Sequence, residues 1–163
     1  MFSSDVSDQH VGVLKLLNNS TSREGVLIES NLAQSLPLYV LGAEQEIRII
    51  LDKLVQNAVK FTKKGSVLVQ LRSQSLENHT VKLIYQVIDT GPGIAADYIS
   101  GGKIFDAFSQ GDSSHTRPHE GLGLGLSLCK ISSNRMNGEF TVQSELGYGS
   151  TFTFEIILRQ LEV

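Results

Sequence analysis

Three short stretches of this 163-residue chain carry side chains suited to one kind of chemistry. Gln56-Asn57-Ala58-Val59-Lys60-Phe61-Thr62 sets an amide and a cation inside a helical pattern. Asp89-Thr90-Gly91-Pro92-Gly93-Ile94 sets an acid at the end of an apolar run, just before a glycine turn. Gly121-Leu122-Gly123-Leu124-Gly125-Leu126 opens a second helical pattern with alternating glycines. An amide oxygen is a hard ligand, and magnesium is commonly held by one or two protein groups together with phosphate and water. A carboxylate is a pure acceptor and suits an exocyclic amine. Amide N–H groups at a helix start, unshielded by side chains, bind phosphate. Metal ligand, base reader and phosphate cradle together imply a purine-nucleotide site, with ATP and magnesium as the ligands that use all three.

Each stretch alone has a plainer origin: a surface asparagine, an acid favoured by a tight turn, or glycines that let a helix pack closely on a sheet. The glycine ladder is not the dinucleotide fingerprint, because its third glycine comes too early and no strand precedes it. Nor is it a P-loop, since no Gly-Lys-Ser/Thr follows. At ~100° per residue, Lys53, Asn57 and Lys60 fall within about 60° of one another, which sets one amide between two ammonium groups on a single face.

The elements that must position these groups are legible from periodicity. Residues 43–62 form a helical stripe of Ile47, Ile50, Leu51, Leu54, Val55, Ala58 and Phe61, ended by Lys63, Lys64 and Gly65. Residues 66–74 and 81–88 alternate around a polar turn and predict an antiparallel hairpin. Residues 26–28 and 38–41 read as short strands, and 5–19 as an imperfect helix. Short helical segments follow at 95–100 and 103–107, with Phe105 and Phe108 as anchors. Residues 109–120 are polar and without period and read as a mobile loop. Residues 122–136 are helical, and 140–144 with 151–158 form a second hairpin across Gly147-Tyr148-Gly149. The prediction is one α+β domain over 1–163, a mixed and mostly antiparallel sheet covered on one face by about three helices, with 1–24 a linker or short helix.

Composition agrees with a single globular domain: 40% hydrophobic residues, no low-complexity tract and no internal repeat. A net charge of −3 gives no basic face for nucleic acid. No apolar run reaches membrane-spanning length, so no direct membrane contact is expected. A lone cysteine, Cys129, excludes an internal disulfide framework and suits a reducing compartment.

In order and spacing, Asn57 with Ala58, Lys60 and Phe61, then Asp89-Thr90-Gly91-Pro92-Gly93, Phe105 and Phe108, Gly121 to Leu126, and Gly147-Tyr148-Gly149-Ser150-Thr151-Phe152 resemble the boxes of sensor histidine kinases. The likeness is to their catalytic, ATP-binding domain, a two-layer α/β sandwich of Bergerat type, and is greatest to the hybrid sensor kinase branch. The resemblance implies that Asn57 coordinates magnesium, Lys60 contacts phosphate and Asp89 binds the adenine amine, with Gly91 and Gly93 shaping its pocket. It implies that Thr151 helps hold the base, and that Gly121, Gly123 and Gly125 face the phosphates at the hinge of an ATP lid over 109–120. Arg117 is then a phosphate clamp, and Ile94, Phe108, Leu122 and Leu124 complete the nucleotide contacts. The implied activity is transfer of the γ-phosphoryl of Mg-ATP to a histidine on a separate dimerisation domain, with a response regulator receiver domain as an indirect partner. The implied setting is cytoplasmic, with an inner-membrane anchor left open for the parent protein.

The chain departs from the pattern in places. Lys53 stands where the family often has asparagine or an acid, and Glu120 and Leu122 replace an expected glycine and threonine. Ala43 replaces a capping acid, and Ser132-Ser133-Asn134 is unusually polar for a helix interior. None of the four histidines, His10, His79, His115 and His119, has the acid and proline that follow a phosphoacceptor. These departures motivate an alternative, a degenerate nucleotide-binding module that regulates other kinases without phosphotransfer.

Overall fold

A computed structural model describes residues 3–5, 24–37, 39–42, 44–106 and 122–160, with the side chains of 3–5, 44 and 122–124 left aside. The strands are β1 (Ser3–Asp5), β2 (Val26–Leu32), β3 (Tyr39–Leu41), β4 (Gly65–Ser75), β5 (Thr80–Asp89), β6 (Glu139–Glu145) and β7 (Gly149–Gln160). The helices are α1 (Glu44–Phe61), α2 (Ala96–Ser100) and α3 (Leu122–Arg135), with a 3-10 turn at Lys103–Phe105. The strands form one sheet in the order β1-β3-β7-β5-β4-β2, with β6 also paired to β7. Among the described strands only β2 and β4 run parallel. The expected mixed, mostly antiparallel sheet is present, and three helices lie on one of its faces. None of the helices among the described residues is long and apolar enough to cross a membrane. The predicted helical pattern over 5–19 falls mostly outside the described residues, and Ser3–Asp5 forms β1.

Strand alternation separates the two faces. Val67, Val69, Leu71, Val81, Leu83, Tyr85, Val87, Phe152, Phe154 and Ile156 are buried toward the helices. Their neighbours face outward and are tied by polar pairs such as Lys82 with Glu155 at 3.1 Å and Arg72 with Gln86 at 2.7 Å. From α1, Ile47, Ile50, Leu51, Leu54, Val55 and Ala58 fill the core as the helical period requires. Phe61, the last member of the predicted stripe, is only half-buried and lines a pocket instead. Strand β2 is longer than the three apolar residues suggested. It is an edge strand whose Glu29, Ser30 and Asn31 are exposed while its backbone pairs with β4 over seven residues.

Helix α3 ends in a paired-carbonyl stop: Gly138 N–H donates to Ser133 O at 2.9 Å and Asn137 N–H to Asn134 O at 3.1 Å, with Asn137 at φ 53°. The Ser133 side chain is buried at this turn, and its hydroxyl has no hydrogen-bond partner among the described residues. Its Oγ lies 3.2 Å from where a Gly138 Cβ would sit, so only a small side chain fits as the chain turns toward β6.

Candidate functional site

The end of β5 carries the acid. Asp89 is 8% exposed, and its Oδ1 accepts the Gly91 N–H at 2.9 Å. Burial raises its carboxyl above the usual range, and backbone N–H donation from Gly91 and Ser150 opposes that rise. The turn after Asp89 is clamped onto the β6–β7 hairpin. Gly147 N–H donates to Pro92 O at 2.8 Å, and Ile94 N–H to Ser144 Oγ at 2.8 Å. Ser144 Oγ donates to Gly149 O at 2.8 Å, which uses its single proton. The 2.8 Å contact between the Ser144 and Ser150 hydroxyls is therefore donated by Ser150. Ser150 Oγ thus keeps acceptor capacity on the pocket side.

Asn57, Ala58, Phe61, Asp89, Pro92, Gly93, Ile94, Ser150 and Phe152 line a cavity of about 210 Å³. That is below the roughly 300–1,000 Å³ of drug-sized pockets and suits a flat base rather than a whole nucleotide. An open cleft of about 610 Å³, bounded by Lys63, Lys64 and Thr90, continues past Phe61 and Pro92. Two glycines of the turn have steric reasons. A Cβ on Gly91 would lie 2.9 Å from Asp89 Oδ1, and Gly93, at φ +73°, would drive one into the Glu145 carbonyl.

The other end of the site lies between α1 and α3. The Asn57 Nδ2 is buried with no hydrogen-bond partner. A Cβ on Gly125, in the first turn of α3, would lie 3.8 Å from Asn57 Nδ2, 4.0 Å from its Oδ1 and 3.9 Å from Lys53 Cδ. Lys53 and Asn57 therefore flank one point beside the helix start. An unpartnered buried N–H donor beside the N-terminal end of a helix suits an anion better than a packed core. Among the described residues no group of three or more His, Cys, Asp or Glu could hold a metal, so Asn57 Oδ1 is the protein ligand on offer at this end.

The remaining expectations divide. Lys60 is exposed and sets its ammonium 5.6 Å from the Phe61 ring centroid, outside the cavity lining. Gly123 lies in the first turn of α3, as does the backbone of Leu122 and Leu124. Phe108, Arg117, Gly121, Glu120 and the 109–120 segment lie outside the described residues. Phe105 packs as an anchor, edge-on to Phe140 at 5.6 Å. Thr151 is not among the cavity residues, and it shares the outward parity of Thr153 and Glu155, whereas Ser150 and Phe152 face inward. The register that pairs Asp89 with Ser150 is what brings the serine to the base pocket. Sequence reasoning also missed Ser144, whose hydroxyl ties turn to hairpin.

Residues 42–160 match the family model described as histidine kinase-, DNA gyrase B-, and HSP90-like ATPase. The signal transduction histidine-protein kinase BarA of Escherichia coli is 36% identical over 146 residues, covering 90% of this chain and 16% of that protein. Hybrid signal transduction histidine kinase B of Dictyostelium discoideum is 32% identical over 151 residues, covering 88% of this chain and 8% of that protein. The chain thus spans less than a fifth of either relative. Full-length ShkA, solved in complex with AMPPNP, superposes with a TM-score of 0.80 at 31% identity over 99% of this chain and 32% of that one. On the acid-floored pocket, the helix-start amide and these matches, the chain belongs to the histidine kinase-, DNA gyrase B- and HSP90-like ATPase family.

Proposed function

We propose that this chain is the ATP-binding catalytic domain of a two-component sensor histidine kinase, in which γ-phosphoryl transfer goes to a histidine on a separate dimerisation domain. The observation that carries this reading is the pairing of a buried Asp89 at the floor of a base-sized cavity with the unpartnered Asn57 amide beside the first turn of α3. Asp89 accepts the adenine amine, and Ser150 Oγ adds a second acceptor. Phe61, Pro92, Ile94 and Phe152 exclude water around the base. Asn57 Oδ1 would hold magnesium, which would supply neutralisation of the phosphate charge. Lys60, Arg117 and the N–H groups at the start of α3 supply positive charge to the phosphates. Positioning and charge neutralisation carry most of such a reaction, so the isolated domain binds nucleotide and turns over little. A receiver domain takes the phosphoryl group only afterwards, and the domain works in the cytoplasm.

Substitution Asn57→Ala tests this. Mg-ATP affinity should fall about tenfold, on the scale of a hydrogen-bonding group removed, and should no longer respond to a chelator, with the fold intact by circular dichroism. Unchanged Mg-ATP affinity would sink the assignment. Lys53 beside Asn57 favours one second reading, a degenerate module that binds nucleotide and regulates partner kinases. Reconstitution with a phosphoacceptor domain separates the two, because only the first reading gives phosphohistidine.

A further inference from the structure

We infer that Lys53 supplies part of the charge neutralisation at the phosphate end of the site, so that nucleotide binding by this chain depends only weakly on a divalent cation. The inference rests on the nucleotide reading above and adds a residue and a binding property to it.

Lys53 and Asn57 are one helical turn apart on α1 and project to the same side. The Lys53 Cδ and both polar atoms of the Asn57 amide converge within 3.8–4.0 Å of the Gly125 Cβ position. Gly125 lies in the first turn of α3, next to the N–H groups at the helix start that have no carbonyl partner within the helix. That end of α3 carries the positive pole of its dipole. A polyanion that approaches this end of the helix therefore meets the dipole and the lysine side chain together.

The surroundings leave that charge for a ligand. The carboxylate beside it in sequence, Asp52, is desolvated by burial and feels the Arg48 guanidinium more strongly than the Lys53 ammonium. Cys129, the next group toward the middle of α3, is a buried neutral thiol pushed up to about 12. Asp89 belongs to the base end of the site, where the cavity lining holds it. Near Gly125 the described side chains thus offer one neutral amide and one ammonium, with no carboxylate cluster to draw in a metal. Lysine binds phosphate as a compact point charge and needs no special geometry to do so. A neutral or acidic side chain at this position would leave more of the triphosphate charge to the metal and the remaining phosphate contacts.

The test is a calorimetric titration of the 163-residue chain with ATP in millimolar magnesium and again in chelator. The variants are Lys53→Met, which keeps the apolar stem, and Lys53→Arg, which keeps the charge. Adenosine, which has no phosphate, serves as a control ligand. In chelator the wild type should retain ATP affinity within about tenfold of its magnesium value, a difference of about 1.4 kcal/mol. Lys53→Met should weaken ATP binding in chelator by about tenfold or more, widen the gap between magnesium and chelator, and leave adenosine unchanged. Lys53→Arg should behave as wild type. If Lys53→Met and wild type bind ATP alike in chelator, or the methionine variant loses adenosine and ATP equally, the inference is overturned while the nucleotide site stands. If the folded wild type binds neither ATP nor adenosine under either condition, the nucleotide reading itself fails and the inference goes with it.

Discussion

Replacing Asp89 with Asn should separate binding from stability. In the folded chain one carboxylate oxygen is already committed, since Oδ1 accepts the Gly91 N–H at 2.9 Å as an acid favoured by a turn would. The Ser150 N–H takes a further share, and the acceptor capacity that remains is left for the cavity, where an exocyclic amine would meet it. Asn keeps Oδ1 for Gly91 but turns an NH₂ toward that amine, donor against donor. A hydrogen bond to a charged group contributes about 1.5–3 kcal/mol, so Mg-ATP affinity should fall by roughly 10- to 150-fold. Stability should move the other way. Burial raises the Asp89 pKa in the folded chain, so the folded state holds its proton more tightly than the unfolded chain does. Ionisation therefore destabilises the apo fold, and that loss sets in as pH rises from the unfolded value, about 3.9, through the raised folded value. It disappears as pH falls below the unfolded value. The Asn variant lacks this titration and should be at least as stable as wild type at pH 7, with a flatter stability profile across the window. Calorimetry for binding, with urea melts at several pH values for stability, reads both. A variant that binds Mg-ATP within twofold of wild type, or that loses more than about 2 kcal/mol at pH 7, would reduce Asp89 to the keystone of a turn.

Two further substitutions probe the frame around that acid. Ser150→Ala should weaken nucleotide binding severalfold, on the scale of one hydrogen bond of about 0.5–1.5 kcal/mol. Thr151→Ala should leave it unchanged, because the two side chains lie on opposite faces of β7; the reverse ranking would restore the expectation for Thr151. Gly93→Ala should destabilise the fold by about 2–4 kcal/mol, because φ is +73° and the added carbon would enter the Glu145 carbonyl. An unshifted urea midpoint would show that the turn can rise off the hairpin without penalty.

Much of this site was legible because its residue types are demanded by chemistry or by period. The α1 stripe follows from 3.6-residue spacing, and Asp89 and Asn57 stand out as polar groups at the edges of apolar patterns. The inward position beside Thr151 was also legible. Phe152, Phe154 and Ile156 fix the phase of β7, and the residue of matching parity is Ser150, not its neighbour. Ser144 was harder, because its role comes from a fold-level meeting of the Asp89 turn with the β6–β7 hairpin, 50 residues apart from Ile94. The placement of β7 between β5 and β3, and the parallel edge at β2, are likewise non-local. They are set by sheet pairing, which leaves no mark on Glu29-Ser30-Asn31 beyond making them tolerable on an exposed edge.

The glycines show why a structural and a functional origin need not compete in this site. Gly91, Gly93 and Gly149 are required by the chain itself, since a Cβ at each would meet Asp89 Oδ1, the Glu145 carbonyl or the Asp89 carbonyl. Those close approaches build the pocket floor, so the steric requirement and the base site are one construction. Gly125 is different. A methyl group there would make only ordinary contacts at 3.8–4.0 Å, with Asn57 and Lys53, yet glycine in a helix is disfavoured by about 1 kcal/mol relative to alanine. Nothing within the described chain demands glycine at 125. A ligand does so if it approaches the start of α3 at the point where the Asn57 amide and the Lys53 side chain converge, and a methyl group would stand in its path.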